Sequence, residues 1–246
     1  MRISGKEGRP YSVFFRGCSF LIVYEAGVLS ALLELSPDIL KSASRIYGSS
    51  SGSIVATVGL CGSDIGKNGF KDTVLSRLTT CLWGLVPGKR VHKILRYGLD
   101  KHLPPNAHEL VSGKLHIVLT RLRDWKSVTV SEFASKEDLI QVGAILCSCF
   151  IPAYFGLFPP KYRGVVSTLW SGDPVPGQNT ITVSAFAGEY DICPRDGAAA
   201  FFNFQLSDCI LHLSTRNLCR LQHIFQLPKR QVSCSYRYSE PRRLSK

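Results

Sequence analysis

The chain has 246 residues, 45% of them hydrophobic, with 30 Lys and Arg against 18 Asp and Glu for a formal net charge of +12. That length buries one sizeable core without requiring a second domain, and the apolar content fits either a large core or the apolar surface of a lipid-facing protein. Nine cysteines, odd in number and without a C-x-x-C pair, exclude a zinc-ligand pattern and read as reduced thiols of a cytosolic protein.

Residues 1–11 form a polar N-terminal segment, and no apolar h-region with a cleavage site follows, so secretion is not expected. Ser12-Val13-Phe14-Phe15 predicts a short buried strand that leads into the loop Arg16-Gly17-Cys18-Ser19. Val28, Leu29, Leu32, Leu33 and Leu35 then recur at helical spacing until Pro37 stops the helix. Arg45-Ile46-Tyr47 ends a second strand, and Ile54, Val55, Ala56, Val58 and Leu60 follow as a helix of small and β-branched residues able to bury completely.

After an irregular stretch with Gly62, Gly66 and Gly69, residues 71–101 read as amphipathic helix broken at Pro87-Gly88. Leu115–Thr120 and Ser127–Val130 predict strands, Asp138–Phe150 a helix, and Thr180–Ser184 a further strand. The alternation predicts a three-layer α/β sandwich around a mostly parallel central sheet. The longest uncharged run, Leu139–Pro160, has the length of a membrane span. Pro152 interrupts it and Pro159-Pro160 close it, so a buried helix and an apolar loop are expected instead.

The chemistry concentrates at Ser50. It is the centre of Gly48-Ser49-Ser50-Ser51-Gly52, a G-x-S-x-G pentapeptide set between a strand and a helix. In a nucleophile elbow the chain turns sharply through a strained serine, and the flanking glycines, here Gly48 and Gly52, remove side chains that would collide. The N-terminus of the following helix then points its free N–H groups and positive dipole end at charge developing beside the serine oxygen. The same residues also suit a serine-rich turn without chemistry.

None of His92, His102, His108, His116, His212 and His223 sits in a setting that marks a triad member. His116 and His212 lie in apolar strand-like runs and read as core or edge histidines. A carboxylate in a poorly hydrated site has its pKa raised and accepts a serine proton equally well, so the chemistry permits a Ser-Asp dyad.

Several segments, in order and spacing, carry a family resemblance. They include Phe20-Leu21 with Tyr24 and Gly27, Ala43 to Gly52, Cys61-Gly62, Leu103-Pro104-Pro105-Asn106-Ala107-His108, and Phe150-Ile151-Pro152 with Tyr154 and Gly156-Leu157. The most specific are Pro159-Pro160-Lys161-Tyr162-Arg163-Gly164-Val165, Thr180-Ile181-Thr182-Val183-Ser184 and Asp191-Ile192-Cys193-Pro194. On these the chain resembles the patatin-like phospholipase family, and within it the animal adiponutrin and adipose triglyceride lipase group. The resemblance runs from about Ser12 to about Pro228, so residues 12–228 are expected to form one acyl hydrolase domain.

The resemblance implies a lipase, phospholipase or transacylase that works on glycerolipid or other acyl esters, at a lipid droplet or membrane surface, through a Ser-Asp dyad without cofactor or metal. Ser50 matches its nucleophile. Its glycine-rich oxyanion loop, G-x-G-x-x-G, falls on Gly17, Cys18 and Ser19, where only the first glycine is kept. Backbone N–H groups still serve there with Ser19 in place, provided its φ stays negative.

The family's D-G-G or D-G-A base motif is missing after Val165, which leaves two displaced candidates for the base. Asp173 is the nearest acid, and Asp196-Gly197-Ala198 spells the motif downstream of Asp191-Ile192-Cys193-Pro194. An impaired, lipid-binding member of the family is the alternative reading. The tail 229–246 carries six Lys or Arg against the single Glu240. Without a nucleic-acid fold signature before it, this tail reads as a solvated end or one drawn to anionic lipid, and no nucleic-acid partner is expected.

Overall fold

The computed structural model of the chain describes residues 10–62, 88–121, 123–124, 126–141, 161–162, 165–168, 179–196, 203–206, 209–212 and 214–223. Strand β1 (Ser12–Phe15) leads through a 3-10 turn (Ser19–Leu21) into α1 (Ile22–Leu35). Then come α2 (Pro37–Ser42), β2 (Arg45–Ser49) and α3 (Ser51–Leu60). Next in order are α4 (Gly88–His102), α5 (Ala107–Val111), β3 (Leu115–Arg121), β4 (Lys126–Val130) and α6 (Lys136–Leu139). β5 (Lys161–Tyr162), β6 (Val165–Thr168), β7 (Thr180–Val183), β8 (Asn203–Leu206), β9 (Cys209–His212) and α7 (Thr215–His223) complete the described elements.

The strand order is β5-β6-β3-β2-β1-β7, with β4 also on β3. The centre is parallel: β1 pairs with β2 and with β7, and β2 with β3. Antiparallel strands extend it beyond β3, so the sheet as a whole is mixed where a mostly parallel one was expected. The cause is local. Between β3 and β4 the chain reverses over a few residues, braced by Arg121 Nε on Asp124 at 2.8 Å, and a connection that short joins only antiparallel neighbours.

Alternation along the strands sorts the two faces. Val13, Phe15, Ile46, Leu115, Ile117 and Leu119 join the main core with α1, α3 and the α4–α5 region. Phe14, Tyr47 and Val118 are buried together on the other face. Burial on both faces is what parallel strands inside a three-layer sandwich require. Tyr47 also stacks on His116, ring centres 5.0 Å apart, which makes His116 the packed strand histidine read from the sequence.

Helix α6 starts two residues earlier than the predicted Asp138, because Ser135 caps it by accepting the Asp138 N–H at 3.0 Å. Residues 142–150 of that predicted helix, and 71–87 of the earlier one, lie outside the described residues. The short α2 and α5, strands β5 and β6, the β8–β9 hairpin and α7 were not predicted.

The carboxyl ends of β1, β2 and β7 come side by side, since Phe15 pairs with both Gly48 and Val183. Open α/β sheets place their sites at this end. The segment after β7 folds back over it: Ser184 N–H donates to Ile192 O at 3.0 Å, and Asp191 Oδ2 accepts from Thr182 N and Oγ1, each at 2.8 Å. Ala185 and Phe186 then pack against Cys18 and Leu21.

Helix α7 fixes that segment in turn. Asn217 bonds both Ala187 N–H and O, at 3.0 and 2.7 Å, and Arg220 forks onto Asp196 at 2.9 and 3.0 Å. Only 2% of the Asp196 side chain and 9% of the Arg220 side chain is exposed. Removing one member of a buried ion pair strands the other charge. Arg220→Ala is therefore expected to lower stability by about 3–5 kcal/mol, and adding Asp196→Asn should recover part of that loss; thermal unfolding of the two variants checks both.

Candidate functional site

Ser50 is the one-residue hinge between β2 and α3, with φ 51° and ψ −129°. Its carbonyl accepts from Ser53 N at 3.0 Å and Ser53 Oγ at 2.6 Å, so the helix is launched immediately after the turn. The glycines are steric necessities here. A Cβ on Gly52 would lie 2.2 Å from Phe15 O, and one on Gly48 would lie 2.5 Å from Ser53 Cα. A Cβ on Gly17 would meet Ser50 Cβ at 2.8 Å, which places the β1 loop directly against the serine. The sharp strand-to-helix turn expected at Ser50 is present. Ser50 itself is 3% exposed.

The loop at the end of β1 is held by the two neighbours of Ser50. Gly17 N–H donates to Ser49 Oγ at 3.0 Å, and Cys18 N–H donates to Ser51 Oγ at 2.9 Å. Two of the three expected oxyanion donors thus already have acceptors. The third, Ser19, departs from the sequence expectation: its φ is 51°, not negative. Among the described residues only Ser19 and Ser50 are non-glycine residues with positive φ. Ser19 stands at the second glycine of the family loop, and its backbone keeps the conformation that glycine adopts freely.

Glu25, in the first turn of α1, is fully buried, and among the described residues no hydrogen bond of standard geometry reaches either carboxyl oxygen. Burial pushes its pKa well above the usual carboxylate range, and the Cys18 thiol opposes this only in part. No sequence signal beyond an acid within an apolar helical run marks it. The same holds for Ser49 and Ser51, which look like spacers in the pentapeptide.

Of the candidate bases, Asp173 lies outside the described residues. Asp196 Oδ1 accepts from Arg220, and Oδ2 accepts from Arg220 and Ser214. Burial raises its pKa, but these bonds and the charges of Arg220 and Arg216 outweigh it and hold the carboxyl below its ordinary value. A fully engaged carboxylate of lowered pKa is a poor proton acceptor, and its neighbours make it the anchor of α7. Among the described residues no group of three or more His, Cys, Asp or Glu is placed to hold a metal, and no helix is long and apolar enough to cross a membrane.

A family model described as Patatin-like phospholipase matches residues 13–174, which include the whole elbow. The chain belongs to the patatin-like phospholipase family. It is 37% identical to the human omega-hydroxyceramide transacylase over 95% of this chain and 45% of that protein. It is 38% identical to the mouse 1-acylglycerol-3-phosphate O-acyltransferase Pnpla3 over 85% of this chain and 52% of that protein. It is also 40% identical to the human patatin-like phospholipase domain-containing protein 2, over 87% of this chain and 43% of that protein. The chain spans about half the length of these curated relatives.

Two outcomes test this patatin site. Left-handed backbone costs a non-glycine residue about 1–2 kcal/mol, and glycine loses part of that gain through its freer unfolded chain. Ser19→Gly is therefore expected to stabilise the protein by about 1 kcal/mol, read by denaturant unfolding. Glu25 has a folded pKa above its unfolded one, so its contribution is fully present below about pH 4 and is lost as pH rises toward the folded pKa. Across that window wild type should lose stability relative to Glu25→Gln, by at most about 1.4 kcal/mol per pH unit; parallel pH-dependent curves would show that Glu25 does not titrate as its burial dictates.

Proposed function

We propose that this chain is a lipid acyl-ester hydrolase or transacylase with Ser50 as nucleophile. The observation that carries the reading is the backbone of Ser50 at φ 51° between a parallel strand and α3, in a turn whose glycines leave no room for a side chain. In the proposed cycle the Ser50 Oγ attacks an ester carbonyl and its proton passes to a carboxylate, which hands it to the leaving alcohol's oxygen as that C–O bond breaks to give an acyl-Ser50 enzyme. Water or an acceptor alcohol then attacks the acyl carbon and gives its proton to the regenerated carboxylate, which passes it to Ser50 Oγ as the acyl–serine bond breaks. Gly17, Cys18 and Ser19 supply backbone N–H groups to the oxyanion, beside the N-terminus of α3.

With Asp196 engaged by Arg220, Asp173 is the carboxylate this proposal assigns as base. The names of the similar proteins support a glycerolipid or other acyl-ester substrate. The proposed setting is the periphery of a lipid droplet or membrane on the cytoplasmic side, with residues 12–228 as the acyl-transfer domain and the basic 229–246 tail adding attraction to anionic lipid. Any activator protein is left unassigned.

One observation favours a second reading. Ser50 is 3% exposed and two loop N–H groups are already bonded, which suits a family member that binds lipid without turning it over. A fluorophosphonate separates the two. The enzyme reading expects covalent labelling of the folded protein that Ser50→Ala abolishes and that Asp173→Asn slows by about 100-fold or more, with Asp196→Asn affecting stability instead. Folded wild type that takes up no label would leave the lipid-binding reading in possession.

A further inference from the structure

The hydroxyls of Ser49 and Ser51 sit on either side of the nucleophile in sequence and each accepts one N–H of the loop facing it. Both serines are buried, at 7% and 4% exposure, and so is Cys18, so water is a poor substitute acceptor for the Cys18 N–H, whereas Gly17 lies at the exposed side of the loop. Each N–H carries a single hydrogen. It cannot bond a serine hydroxyl and a carbonyl oxygen at full strength together.

We propose that Ser49 and Ser51 are positioning residues whose hydroxyls stand in for the oxyanion, satisfying the Gly17 and Cys18 N–H groups until an acyl carbonyl oxygen displaces them. This rests on the reading of Ser50 as an acyl-transfer nucleophile. Three features of the site support it.

A neutral hydroxyl is the weaker competitor, since hydrogen bonds to an ionised oxygen are roughly twice as strong. The exchange therefore favours the transition state over the ground state, where bonding is worth most to rate. The displacement also needs no backbone movement, because a serine leaves its acceptor position by rotation about χ1 between staggered wells. Finally, the arrangement accounts for a buried serine whose facing loop has both of these N–H groups bonded at rest.

The stand-ins also act as competitors. Truncating Ser51 leaves the buried Cys18 N–H unsatisfied at rest, truncating Ser49 leaves the exposed Gly17 N–H with nothing but solvent to give up, and both are then open to the incoming oxygen. Labelling of Ser50 by a fluorophosphonate should therefore be about two- to tenfold faster in Ser49→Ala and in Ser51→Ala than in wild type, and faster again in the double variant. Amide resonances of Gly17 and Cys18 in the wild-type protein should shift on phosphonylation, as their acceptor changes from a hydroxyl to a phosphoryl oxygen.

Labelling of wild type at Ser50 with unchanged or slower rates in the folded variants would overturn this inference and leave the enzyme reading standing. Should the variants fail to fold, unmoved Gly17 and Cys18 resonances in the labelled wild type would overturn it instead. Labelling of the double variant but not of wild type would also overturn it, because the hydroxyls would then be a block and not acceptors that an incoming oxygen displaces. Absence of labelling in every folded form would remove the inference together with the reading it rests on.

Discussion

Close approach of the first turn of α3 to the end of β1 is the constraint on which the site depends. With Gly52 seated where even a methyl group would lie 2.2 Å from Phe15 O, the helix begins almost inside the sheet layer. The chain then has a single residue in which to change direction. Ser50 takes that turn in a region of backbone space costing of order 1–3 kcal/mol, and the cost is tolerable because strand pairing and a buried helix hold it from both sides. The close packing of Gly17, the backbone of Ser19 and the amide-to-hydroxyl bonds all belong to two chain segments pressed together at the carboxyl end of the sheet.

A second layer of support lies further out. Cys18 and Leu21 rest on Ala185 and Phe186, whose segment is tied by Asn217 to α7, and α7 is tied by Arg220 back to Asp196. The loop facing Ser50 is thus held by residues roughly 170–200 positions later in the chain. Arg16 adds to this contact, with its guanidinium 5.5 Å from the Phe14 ring centre and 5.3 Å from that of Tyr190. Long-range links of this kind make the geometry of the site a property of the whole domain.

Much of this was legible in the sequence where local chemistry dictates the outcome. The elbow was, because a strand, a G-x-S-x-G and a small-residue helix leave few other conformations. The same is true of the places of β1, α1, β3, β4 and β7, but apolar pattern and burial agree closely only in β1 and β3: Leu33 and Leu35 of α1 are exposed and no residue of β4 is buried. The antiparallel edge was less legible, since direction depends on where a short connection sends the chain. Asp196 illustrates the limit most clearly: the string Asp196-Gly197-Ala198 matches a base motif by letter, but the partner that fixes its role, Arg220, is 24 residues away. Ser49, Ser51 and Glu25 escaped because nothing in a linear pattern shows which hydroxyl or carboxyl is sealed against which backbone.

Glu25 has a thermodynamic consequence for the whole domain. An unfolded chain leaves this carboxyl solvated and ionised above its normal pKa, whereas the folded helix buries it where charge is disfavoured. Between those two values the molecule must draw a proton from solution as it folds. The heat absorbed on melting therefore includes the protonation enthalpy of whatever buffer receives that proton, and calorimetry in two buffers of different ionisation enthalpy would count the transfer directly.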